Sequence, residues 1–103
     1  MKRFEDELNE LKEKILSMGG LVEKAIKRSM KALTEHSLKR ANKVIERDKA
    51  INAMEVEIDE MTRRILALRQ PAARDLRFII STIKIVTDLE RIGDLAEGIA
   101  ESM

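Results

Sequence analysis

Four branched apolar residues, Val44, Ile51, Ile58 and Ile65, recur every seven positions, and Met54, Met61 and Leu68 each follow the last three of them by three. A seven-residue apolar repeat stays on one side of an α-helix and alternates between the two faces of a strand. The middle of the chain, about 38–69, is therefore predicted to be a helix with a continuous core seam. Ser37 is suited to cap its start. Pro71 ends it, because the residue before a proline is pushed out of the helical region. Arg63, Arg64 and Arg69 crowd its last turns, where cations meet the negative end of the helix dipole.

The segments on either side carry helical patterns of their own. Over about 4–34, Phe4, Leu8, Leu11, Ile15, Met18, Val22, Ala25 and Leu33 mark one face at spacings built from threes and fours. Glu10 with Lys14 and Glu23 with Lys27 are placed to pair one turn apart. Gly19 and Gly20 interrupt this face and imply a local bend or a close approach by another helix, with a functional hinge as the alternative. His36 and Ser37 break the pattern before the second helix begins. Proline is tolerated in a helix's first turn, so a third helix over about 72–102 follows the short link at Pro71. Short links make sequential helices antiparallel neighbours. The expected fold is all-α: an up-down-up three-helix bundle forming a single domain over 1–103.

The third helix differs from the others. Leu76, Ile79, Ile83 and Val86 form one apolar stripe, and Phe78, Ile85, Leu89, Ile92, Ala96 and Ile99 form another. A helix apolar nearly all round is a covered one. Two neighbouring helices do not easily cover both stripes, so a further surface is expected, from a second copy of the chain or a missing half. The chain stops at Glu101-Ser102-Met103 without a glycine or proline stop signal, which suggests one part of a larger design or a truncation.

Composition narrows the functional classes. Twenty basic residues against 19 acidic ones give a net charge of +1, without the basic excess expected for nucleic-acid binding. There is no cysteine, which removes disulfides and thiolate metal sites. The opening MKRFEDELNE turns acidic at once and lacks the apolar core of a signal peptide. No apolar run approaches the ~18 residues of a membrane span. A cytoplasmic protein, not inserted in a membrane, is expected. The sequence has no glycine-rich phosphate loop and no Ser/His/Asp set, and its sole histidine, His36, falls at a predicted link. Helical di-iron enzymes draw on Glu-x-x-His motifs, so a catalytic reading has little to stand on. Arg69, Arg74 and Arg77 gather near the second link and could meet an anion or an acidic partner, or simply solvate the helix ends.

The acids of the third helix are the more specific feature. Glu90 and Asp94 lie four apart, on one face, with Asp88 on a flank. If the second and third helices reverse at residues 70 and 71, facing positions sum to about 141. Asp48 and Asn52 then come level with Glu90 and Asp94, while Glu55 and Asp59 fall opposite residues near 86 and 82, which are not acidic. Four oxygen-bearing side chains converging in this way repel one another unless protonated or bridged by a cation. An oxygen-only set suits Mg, Ca, Mn or iron. The competing reading is of ordinary solvated acids paired with Arg47, Lys84 or Arg91.

The runs RFEDELNELKEKILSMGGLVEKAIKRSMKAL, VIERDKAINAMEVEID and QPAARDLRFIISTIKIVTDLERIGDLAEGIA closely resemble the PhoU family of phosphate-signalling regulators. QPAARDLR and DLERIGDLAEGIA are the most specific parts. The resemblance implies an all-helical protein built from two similar three-helix bundles that commonly dimerises. It implies a negative regulator of the phosphate-starvation response, linking a phosphate-specific ABC transporter to a membrane sensor histidine kinase and restraining phosphate uptake. It also implies paired acidic motifs that hold iron or other metals, with Mn, Mg and Zn as further candidates. Glu90 and Asp94 match the third-helix motif, and Asp48 the start of the second-helix motif. Asn52 stands where the family has an acid, which removes one charge. The chain has one bundle where the family has two. A metal-binding accessory domain of another ion transporter and a metal-dependent bundle enzyme are the alternative functions.

Overall fold

A computed structural model of the chain describes residues 3–103. Three helices make up almost all of it: α1 (Phe4–Glu35), α2 (Leu38–Arg69) and α3 (Ala73–Glu101). Among the described residues there is no strand.

The links are built from local chemistry. α1 opens with Glu5, Asp6 and Glu7, acids set against the positive end of its dipole. It closes at His36, which adopts the left-handed conformation at φ 52°, and the Ser37 N–H donates to the Ala32 carbonyl at 2.9 Å. This bond satisfies one of the carbonyls a helix end leaves open. Ser37 then caps α2, its hydroxyl accepting from the Arg40 N–H at 3.2 Å. α2 also ends on a left-handed residue, Gln70 at φ 44°, immediately before Pro71, which has no N–H to continue the helix.

Ion pairs show how the helices lie against each other. Arg69 of α2 donates from Nε to Glu7 of α1 at 2.7 Å, and Lys14 of α1 pairs with Glu57 of α2. Numbers rise on one helix as they fall on the other, the order of an antiparallel pair. Between α2 and α3, Asp48 and Ile51 lie against Gly93, while Glu55 and Ile58 share a groove with Ile83 and Val86. The order is again reversed.

The core follows the α2 seam. Val44, Ile51, Ile58, Met61 and Ile65 are buried, and all but Val44 meet Leu11, Met18, Val22 and Ala25 of α1 and Ile79, Val86 and Ala96 of α3. Burying a side chain of this size contributes about 1.5–3 kcal/mol. A second, smaller cluster of Ala32, Ala41, Val44 and Ala100 closes the far end, where the small side chains let the helices approach. Three buried hydroxyls are satisfied within their own helices: Ser29, Thr62 and Thr82 donate to the carbonyls of Ile26, Ile58 and Phe78.

Three expectations need correction: Leu33, Leu68 and the Gly19–Gly20 pair. Leu33 is 44% exposed, because the α1 face continues through Ser29 and Ala32, which keep the helical phase that Leu33 leaves. Leu68 is 72% exposed, since the seam runs out where α2 nears its end. Lys14 pairs across to Glu57, with the charge of Glu10 beside it, and Glu23 and Lys27 pair at 3.0 Å. Within one chain α3 is only partly covered, as its two stripes imply: Ala96 is buried and Phe78 and Leu89 pack against the core, while Ile85 and Ile92 of the second stripe and Leu76 and Ile83 of the first are exposed. Gly19 and Gly20 lie within an unbroken helix, with no atom within 4 Å of where a side chain would begin. Among the described residues, no helix is long and apolar enough to cross a membrane.

Candidate metal site

Asp48 is the one charged side chain buried among the described residues, with 4% of its surface exposed. It lies four residues after Val44 and three before Ile51, so the helical repeat that builds the seam also turns it inward. Room for it comes from Gly93. A Cβ at Gly93 would sit 3.6 Å from Asp48 Oδ1 and 3.5 Å from Ile51 Cγ2, so alanine would fit and a longer side chain would collide.

Three acids meet at this point. Asp48 of α2 and Asp94 and Glu97 of α3 each offer a carboxylate oxygen, and these oxygens lie within 4.8 Å of one another. Asn52 Nδ2 donates to Asp48 Oδ2 at 3.1 Å. A carboxylate accepts and does not donate when ionised, so the amide N–H of Asn52, not its carbonyl, faces the cluster.

Crowding like charges favours protonation. The Glu97 carboxyl is pushed up to about 7, first by a shared hydrogen bond with Asp48, then by lost solvent, and then by the charges of Asp48, Glu101 and Asp94. Glu90 is also raised, chiefly by a hydrogen bond shared with Asp94 and by lost solvent, with Glu55, Asp94 and Asp48 adding charge. A proton on Glu97 thus does the neutralising work that a cation would otherwise do.

The donor set fits a hard, oxygen-seeking cation: three carboxylates from two helices, with no nitrogen or sulfur among them. Asp48, Asp94 and Glu97 could hold such a metal ion. Of the residues expected from sequence, Asp48 and Asp94 lie in this group. Glu90 sits one turn before Asp94, and Asn52 enters as a donor to Asp48. Glu97 was missed, although it follows Asp94 by three and so shares its face. Glu55, discounted from its register, is close enough to act on Glu90 while lining the groove with Ile83 and Val86.

Elsewhere, His36 is an exposed helix cap, and Arg69 of the arginine group is engaged by Glu7. Arg74 and Arg77 are exposed.

The fold and this site define a small three-helix module with one carboxylate-rich face. A family model described as the PhoU domain matches residues 15–103, and the chain belongs to that family. It is 44% identical over 100 residues to the phosphate-specific transport system accessory protein PhoU of Serratia marcescens, covering 97% of this chain and 41% of that one. With the PhoU homolog of Pseudomonas putida it shares 54% over 99 residues, covering 96% and 39%. The crystal structure of PhoU from Pseudomonas aeruginosa superposes with a TM-score of 0.93 at 50% identity, covering 96% of this chain and 47% of that one. The chain spans less than half the length of these relatives.

Proposed function

We propose that this chain acts in the cytoplasm as a negative regulator of phosphate uptake and of the phosphate-starvation response, not as an enzyme. It would work by contact with a phosphate-specific ABC transporter and its sensor histidine kinase. Membership of the PhoU family, with relatives named as accessory proteins of phosphate-specific transport, is the observation that carries this reading.

Two further parts belong to it. Asp48, Asp94 and Glu97, with Glu90 beside them, would hold iron, manganese or another hard cation, whose charge would let Glu97 ionise at neutral pH. The chain would also self-associate through the side where α1 and α3 both expose apolar residues. Leu16, Ile26 and Met30 on α1 and Ile85 and Ile92 on α3 support this, Leu16 being 76% exposed. An uncovered apolar surface of this extent marks an interaction face.

Deleting the gene should raise alkaline phosphatase output in phosphate-rich medium, and unchanged output would refute the regulatory reading. Protein purified with iron or manganese present should retain the metal, and Asp48→Ala with Asp94→Ala should remove it. Equal metal content in the two proteins would refute the site.

A further inference from the structure

A net charge of +1 conceals a divided surface. Arg47 and Asp48 are neighbours on α2, yet Asp48 joins the acids of α3 while Arg47 lines a groove against α1. Two adjoining cavities of about 130 Å³ each form this groove. Leu21, Val44 and Ile51 make the apolar floor of the first, below Lys24, Arg28 and Arg47. Arg28 and Arg47 also border the second, together with Arg40 and Lys43. The shared arginines make the two cavities one continuous groove.

Its charge is of one sign. Among the described residues, no acid lines either cavity. Only Arg40 of the five cations has an acidic partner, Glu35, at 3.6 Å and on an exposed edge. The contrast with Lys14 and Arg69, each paired across the bundle, is plain. Clefts lined by one sign of charge concentrate ligands of the opposite sign.

We infer that this groove docks an acidic, amphipathic helical segment of a partner protein. From Arg40 to Ile51 the groove follows α2 for about 16 Å, at ~1.5 Å per residue, the length of three helical turns. Carboxylates spaced three and four apart on such a segment would reach the guanidinium forks of Arg28 and Arg47, and its apolar residues would cover Leu21 and Ala50. A free phosphate ion would fill one end and leave the apolar floor bare. A lipid surface, flat on this scale, would touch the rim alone. The inference rests on the reading of the chain as one that works through protein contacts, and gives that activity a surface.

A fluorescein-labelled 15-residue helical peptide carrying Glu and Leu at these spacings is the probe, with binding followed by anisotropy. Wild-type protein should bind it saturably and more weakly as salt rises. Arg28→Glu with Arg47→Glu should weaken binding at least about tenfold, Lys43→Glu should weaken it measurably, and Arg74→Glu with Arg77→Glu should leave it unchanged. A peptide with Leu replaced by Ser should bind less tightly. Equal loss in the Arg74/Arg77 variant, or equal binding of the Ser peptide, would overturn the proposal. So would displacement by inorganic phosphate beyond that of chloride at matched ionic strength. Phosphatidylserine vesicles that bind with the same variant pattern while the peptide does not would overturn it too. Circular dichroism checks folding, and if the double arginine variant unfolds, the exposed Lys43→Glu decides. Because no cell or transporter is used, failure here would remove the groove's role and leave phosphate-dependent regulation to its own test.

Discussion

Replacing both Gly19 and Gly20 by alanine tests whether the α1–α3 side is open in the single chain. Glycine inside a helix is about 0.8–1 kcal/mol less favourable than alanine, so the pair weakens α1 by about 2 kcal/mol. Neither residue has a positive φ, and a Cβ at either site would meet no atom within 4 Å. Nothing within the bundle offsets the gain, and the double variant should be about 2 kcal/mol more stable. For a domain of this size each kcal/mol shifts Tm by roughly 4–8 °C, so a rise of about 8–16 °C is expected. Urea and thermal unfolding by circular dichroism at low protein concentration would measure it. Unchanged or lowered stability in the dilute protein would refute the reasoning. Repeating the melts at high concentration with light scattering then tests the surface. If the copies meet closely at Gly19, the variant should keep its gain when dilute and lose assembly when concentrated.

Other consequences concern charge, packing and backbone. The raised Glu97 means its proton is held more tightly folded than unfolded, so its contribution to stability is complete below about pH 4.5 and is lost as pH rises through about 7. Carboxyl NMR should find that midpoint near 7, and Asp48→Asn should return it toward the ordinary glutamate range; an unmoved midpoint would sink the proposed coupling. Ile58→Ala should cost about 2–5 kcal/mol, whereas exposed Leu68→Ala should change stability by less than ~0.5 kcal/mol, both by chemical denaturation. Gln70→Gly should stabilise by up to about 1 kcal/mol in the same assay, by relieving a left-handed residue.

The helices were legible because their boundaries are chemical. Pro71 and the capping hydroxyl of Ser37 act locally, and the seven-residue repeat through Val44 and Ile65 has no strand equivalent. Phase was harder to read than hydrophobicity. Ser29 and Thr62 are buried because a hydroxyl can bond its own helix's carbonyl, which makes a polar residue acceptable at a core position. Leu33 and Leu68 read as inward-facing because they are apolar, and the structure turns both outward. For the acids, register placed Asp48 against the right turn of α3. It did not reveal how deep Asp48 sits, which depends on the room left at Gly93. Pairing by fours drew attention to Glu90 and passed over Glu97, three positions from Asp94 and closer to Asp48. The basic groove was invisible in the totals, because opposite charges on two sides of one helix cancel in a sum.

The two links, His36–Ser37 and Gln70–Pro71–Ala72, also set the pace at which this chain can find its shape. Each joins consecutive helices across two or three residues, so docking α2 onto either neighbour closes only a small loop, at little entropic cost. The contact between α1 and α3 alone spans the length of α2, and it becomes cheap once either hairpin exists. Helical proteins whose contacts are mostly local fold in microseconds to milliseconds. Because α2 belongs to both hairpins, a substitution in its seam should slow folding by either route, whereas one confined to α1 or α3 leaves the other hairpin free to lead.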